Sequence, residues 1–167
     1  MSIRFNVGEI LEMAETIETN GEKFYRKAVG MVSDEAAKKI LTELADAEVI
    51  HKKIFAEMRK ELSAQEKGES FVAPDEEASQ YLRAWADGQV FDARKDPSEE
   101  LTGKESLEDI LQTALGREKD SVVFYLGLKD ATPKKWGREK IDNIIKEEML
   151  HISIISTELA KLRGELN

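Results

Sequence analysis

Leu44-Ala45-Asp46-Ala47-Glu48-Val49-Ile50-His51 and Ile144-Ile145-Lys146-Glu147-Glu148-Met149-Leu150-His151 lie one hundred residues apart and share one pattern. Each opens on an aliphatic residue, places a glutamate four positions on, and places a histidine three positions after that. Apolar side chains resume at Phe55 in the first stretch and at Ile152 and Ile155 in the second. Spacings of three and four mark one face of an α-helix. A Glu-x-x-His pair therefore interrupts the apolar stripe of each of two helices, and these are the only two histidines in the chain.

The same shift brings further residues into register. Glu18 falls on Glu118 and Phe24-Tyr25 on Phe124-Tyr125; Ile10, Ala14, Ile54 and Leu62 fall on Ile110, Ala114, Ile154 and Leu162. The chain is thus two copies of a helical pair, each a helix with a single glutamate followed by a helix with Glu-x-x-His.

Working outward, four helices are predicted. Asn6 with Glu9 forms a capping box for the first, and Phe5 and Ile10 flank it at staple positions. Its stripe is Ile10, Ala14, Ile17, Gly21, Tyr25 and Ala28. Ser33, followed by Asp34 and Glu35, starts the second, with a stripe at Ala37, Leu41, Leu44, Phe55, Met58 and Leu62. Ser106 with Asp109 starts the third, with Ile110, Ala114, Val122, Tyr125 and Leu128. Thr132-Pro133 starts the fourth, proline taking the first helical position, and Gly164 stops it. That stripe is Ile141, Ile144, Ile145, Ile152, Ile155, Leu159 and Leu162.

The expected fold is all-α: a single domain over 1–167, with helical pairs at about 6–62 and 106–164. The stretch from 63 to 105, with Pro74, Pro97, Gly68, Gly88 and Gly103, reads as a long crossover. It lets helices two and three lie parallel instead of forming a hairpin. A short helix is expected over Glu76 to Ala86, carrying Tyr81, Leu82 and Trp85, and Val90 and Phe91 are expected to pin the crossover to the bundle. A partly disordered linker is the alternative.

Six polar side chains, Glu18, Glu48, His51, Glu118, Glu148 and His151, then point into the core. Four carboxylates buried together must lose their charge to protons or be compensated. No lysine or arginine lies near them on these stripes. Two divalent cations balance four negative charges, and two neutral imidazoles complete the shells. Iron fits oxygen and imidazole donors, as do manganese and zinc. Tyr25 and Tyr125, seven residues after Glu18 and Glu118, can donate to a ligand carboxylate or simply pack in the core. Glu22 and Glu147 read as solvated charges or as additional ligands.

Composition narrows the rest. Cysteine is absent, which excludes disulfides, thiol catalysis and iron–sulfur or four-cysteine iron sites. A net charge of −9 disfavours nucleic acid and anionic lipid as partners. No apolar run is long enough to span a membrane, Met1-Ser2-Ile3-Arg4-Phe5 lacks the apolar stretch of a signal peptide, and the cytoplasm is the expected compartment.

With one glutamate on each of two helices and Glu-x-x-His on each of the other two, the sequence resembles the rubrerythrin-like diiron-carboxylate proteins of the ferritin-like superfamily. The resemblance covers about 9–62 and 109–162. It implies a ferritin-like four-helix bundle holding two iron ions. Glu18 and Glu118 would be the single-glutamate ligands, and Glu48 and Glu148 would bridge. It also implies a diiron oxidoreductase of peroxidase type that reacts with peroxide or dioxygen, draws electrons from a separate donor protein, and pairs as a homodimer. Iron oxidation and storage, or a bundle that uses metal only as a staple, are the alternatives. The chain departs from rubrerythrins in lacking their four-cysteine iron site. It also has Ser121 where they carry a further glutamate one turn after the third-helix ligand.

Overall fold

The computed structural model describes residues 7–65, 80–81, 84, 96–132 and 134–166. Four long helices carry it: α1 (Val7–Val29), α2 (Glu35–Gln65), α3 (Leu107–Ala131) and α4 (Arg138–Leu162). Short 3-10 turns occupy Pro97–Glu100 and Lys134–Trp136, and there is no strand among the described residues.

The helix ends follow local chemistry. Asp34, not Ser33, caps α2: its Oδ1 accepts the Ala37 N–H at 2.7 Å, and its carbonyl accepts the Lys38 N–H. The carboxylate suits the positive end of the helix dipole. Ser106 and Asp109 form the expected reciprocal box at the start of α3. The expected cap at Asn6 lies outside the described residues.

The fourth helix does not begin at Thr132-Pro133. Thr132 instead closes α3, its N–H donating to the Lys129 carbonyl and its hydroxyl to the Leu128 carbonyl. A 3-10 turn follows, then Gly137 at φ +86°, a left-handed conformation that glycine adopts without steric cost. Arg138 opens α4 and donates to the carbonyls of Lys129, which also accepts from Thr132, and Asp130, binding the end of α3 to the start of α4. At the far end Gly164 stops α4 as expected. Its φ is +68°, the Glu165 N–H reaches the Ala160 carbonyl, and the Gly164 N–H reaches that of Lys161, a Schellman closure.

Two apolar clusters set the helix directions. One joins Ile10, Leu11, Ala14 and Ile17 of α1 with Phe55 and Met58 of α2, Phe124 to Ala131 of α3, and Ile141 to Ile145 of α4. The other joins Phe24 to Ala28 with Leu41 to Ala45, Ile110 to Leu115, and Ile155 and Leu159. Helices α1 and α4 therefore run from the first cluster to the second, while α2 and α3 run from the second to the first. The parallel relation of α2 and α3 is as expected. Leu162 is 48% exposed because it is the last residue of α4 and lies beyond the second cluster.

The described parts of the crossover sit at both ends of the bundle. Tyr81 packs against the first cluster. Leu101 is buried in the second, where Lys27 donates to the Ser98 carbonyl and Lys23 pairs with Asp96. Gln80, Tyr81 and Ala84 are helical; the remainder of the expected helix over Glu76 to Ala86, and Val90 and Phe91, lie outside the described residues. No helix among the described residues is long and apolar enough to cross a membrane.

Candidate metal centre

Between the two apolar clusters lies a polar layer. Every helix crosses it once, and it contains Glu18, Glu48, His51, Glu118, Glu148 and His151, all buried. Within it two donor sets form, each with its ligand atoms within 4.8 Å of one another: Glu18, His51 and Glu148, and Glu118, Glu148 and His151. The sets mirror each other. His51 Nδ1 lies 3.5 Å from Glu18 Oε2, and His151 Nδ1 lies 3.5 Å from Glu118 Oε2. Glu148 joins them, Oε1 at 2.9 Å from His51 Nδ1 and Oε2 at 3.1 Å from His151 Nδ1.

Glu48 occupies the layer differently. It is absent from both donor sets and rests against Gly21 of α1, where an added Cβ would come within 2.6 Å of its carboxyl. Its closest electrostatic coupling is to Glu18. The two Glu-x-x-His glutamates are thus unequal in position, and Glu148 alone spans both sets.

The tyrosines serve the opposite half. Tyr25 donates to Glu118 Oε1 and Tyr125 to Glu18 Oε1. This crossing follows from α1 and α3 running antiparallel side by side. Each single glutamate has one oxygen engaged by a phenol, while its Oε2 is buried with no hydrogen-bond partner. His51 Nδ1 is likewise buried and makes no aligned hydrogen bond, although Glu148 Oε1 stands 2.9 Å away. Of the other charges flanking the ligands, Glu22 pairs with Arg26 at 3.7 Å, whereas Glu147 reaches His51 Nε2 at 2.7 Å.

Without cations, protons must neutralise this layer. Burial pushes the Glu18 and Glu48 carboxyls well above the usual carboxylate range. Burial, then the charge of Glu148, pushes Glu118 up to about 8. Glu148 goes the other way: burial opposes its ionisation, but contacts with Glu118, His151 and His51 outweigh burial and hold it below the usual range. Burial likewise disfavours charged imidazoles, yet Glu148 and Glu147 raise His51 to about 9, and Glu118 and Glu148 raise His151 to about 10.

The donors suit metal ions. Three unsatisfied buried donor atoms, Glu18 Oε2, His51 Nδ1 and Glu118 Oε2, belong to the two sets. Unpartnered buried polar atoms are uncommon in folded proteins, and a ligand is one remedy. Two donors bonded to one ion at about 2.1 Å lie roughly 3.0–3.4 Å apart, close to the 2.9–3.5 Å separations within each set. The Glu/His layer fits a dinuclear metal site.

A sequence profile of the family described as Rubrerythrin matches residues 9–95, more than half of the 167-residue chain. The chain belongs to the rubrerythrin family. Among solved structures, this rubrerythrin-family chain is similar to one described as a ferritin-like diiron-carboxylate protein, from Thermotoga maritima. The identity is 28% and the TM-score 0.68, with 93% of this chain and 95% of that chain covered. No curated protein matches the sequence. The family profile spans α1 and α2 with Glu18, Glu48 and His51; the ferritin-like fold extends over the second helical pair as well.

Proposed function

We propose that the chain holds two iron ions in the polar layer and reduces hydrogen peroxide or dioxygen with them. The observation that carries this reading is the pair of mirrored donor sets joined by Glu148. Bound there, two ferrous ions would supply one electron each, the two needed with two protons to turn hydrogen peroxide into two waters. Glu18 and His51 would hold one ion and Glu118 and His151 the other, with Glu148, common to both donor sets, serving each. Tyr125 and Tyr25 fix the rotation of Glu18 and Glu118 by engaging Oε1, so that Oε2 faces the histidine of its own half. Glu48, against Gly21, is a further carboxylate within the layer that can enter the ligand set. The apolar clusters above and below exclude bulk water. Electrons to restore the ferrous state would come from a separate donor protein, since the chain contains no cysteine to build a second iron centre.

The test is anaerobic. Ferrous-loaded protein is mixed with hydrogen peroxide, and ferric absorbance is followed. The expected result is two irons oxidised per peroxide. A ferrous site that neither peroxide nor, in a second mixing, dioxygen oxidises overturns the proposal.

A further inference from the structure

His51 and His151 hold equivalent places in the two halves, and their rings stack with centroids 5.9 Å apart and planes inclined by 24°. Both rings face Glu148 through Nδ1, but their surroundings differ at Nε2. The Nε2 of His51, the nitrogen turned away from the donor sets, meets the carboxylate of Glu147 at 2.7 Å. Glu147 reaches across from α4 and is itself 56% exposed. The hundred-residue shift puts Ala47 at the matching place on α2. A methyl group accepts no hydrogen bond. Among the described residues, no carboxylate takes the Nε2 of His151, and its contacts run through Nδ1.

We infer that Glu147 positions His51 and makes the two halves of the centre unequal, so that the half built on Glu18 and His51 binds its ion more tightly and fills first. The inference rests on the dinuclear reading above. A neutral imidazole that binds metal through one nitrogen carries its hydrogen on the other. A carboxylate accepting the Nε2 hydrogen selects the tautomer whose lone pair is on Nδ1, the atom that faces Glu18 and Glu148. It also fixes the ring plane and raises the basicity of Nδ1. His151 lacks this brace and must select tautomer and orientation when it binds. Removing such a brace lowers metal affinity by about 10- to 100-fold. The exposure of Glu147 places the expected effect at the lower end, because water weakens the charge contribution and leaves mainly the orienting hydrogen bond.

The test uses Co(II), added anaerobically to the metal-free full chain and followed by visible absorbance and calorimetry. The natural sequence should bind two ions per chain in two steps separated by about tenfold or more in affinity. Glu147→Ala should weaken the first step by about tenfold and leave the second unchanged, so that the steps merge. Glu147→Gln keeps an acceptor without the charge and should restore most of the split. Ala47→Glu should tighten the second step. The metal-free Glu147 variants should still fold and melt cooperatively, slightly below the parent where His51 is protonated, since that side chain is on the surface and only its contact with His51 is lost. Two equal steps in the parent overturn the inference alone. So does Glu147→Ala weakening neither step or both equally. A parent chain that takes up no Co(II) overturns the dinuclear reading and the inference with it.

Discussion

Gly21 shows how a single atom shapes the centre. Glycine inside a helix costs about 1 kcal/mol relative to alanine. Here a Cβ would stand 2.6 Å from the Glu48 carboxyl, so the missing methyl makes the room that this side chain occupies. Gly116 of α3 is the natural control, exposed and with nothing within 4 Å of its would-be Cβ. Gly116→Ala should stabilise the metal-free protein by about 0.4–1 kcal/mol. Gly21→Ala should destabilise it by about 1–3 kcal/mol, because the layer is overpacked and a buried carboxyl is displaced. Urea unfolding measures both, and a Gly21→Ala variant as stable as Gly116→Ala would contradict this account of Glu48. The burial of the six polar side chains in one layer was legible in the sequence because each breaks an apolar stripe and each has a counterpart in the other half. The tyrosine crossing and the role of Glu147 were not, since both depend on how helices from different halves face each other. The one available signal was the break in the duplication, Ala47 against Glu147.

At the scale of the element, helix ends separate what sequence decides from what tertiary structure decides. Ser106 and Asp109 were legible as a box because both halves of the motif are present, and Gly164 because nothing competes with it. Ser33 and Asp34 are both good caps, and the turn after α1 selects Asp34 by placing its Oδ1 over the Ala37 N–H. Asp34→Ala should therefore cost about 1 kcal/mol by urea unfolding, and Ser33→Ala only a few tenths. The reverse order would show that Ser33 is the cap. At the α3–α4 corner, the Thr132-Pro133 signal yields to Gly137 and to the Arg138 bridge, neither of which a propensity rule for prolines takes into account. The parallel run of α2 and α3 was legible from the length of the connection. The burial of Leu101 was not, because that residue is isolated among polar neighbours.

For the whole molecule, the polar layer links stability to pH and metal. In the metal-free protein His51 and His151 have raised pKa values, about 9 and about 10. Each contributes stability in full below its ordinary value near 6.5 and loses it as pH rises through the folded value. Glu118, raised to about 8, holds its proton more tightly when folded, so stability also falls as pH rises from about 4.5 to 8. The contribution of Glu148, whose pKa is lowered, is complete above the ordinary carboxylate range and changes nothing between pH 6 and 9. The metal-free melting temperature should therefore fall from pH 6 to pH 9. Metal displaces these protons, so the rise in melting temperature on adding Mn(II) should be larger at pH 8.5 than at pH 6. Melting curves with and without Mn(II) test this, and a metal-free protein that melts higher at pH 9 than at pH 6 would contradict it.

The dinuclear site is tested most directly by counting ions. Metal-free protein is equilibrated anaerobically with Fe(II), and bound iron per chain is measured for the parent and for Glu148→Ala, with helical content checked in both. Glu148 belongs to both donor sets, so the parent should bind two irons per chain and the variant should lose tight binding of both. A parent that saturates at one iron or none, or a folded variant that still binds two tightly, would contradict the account.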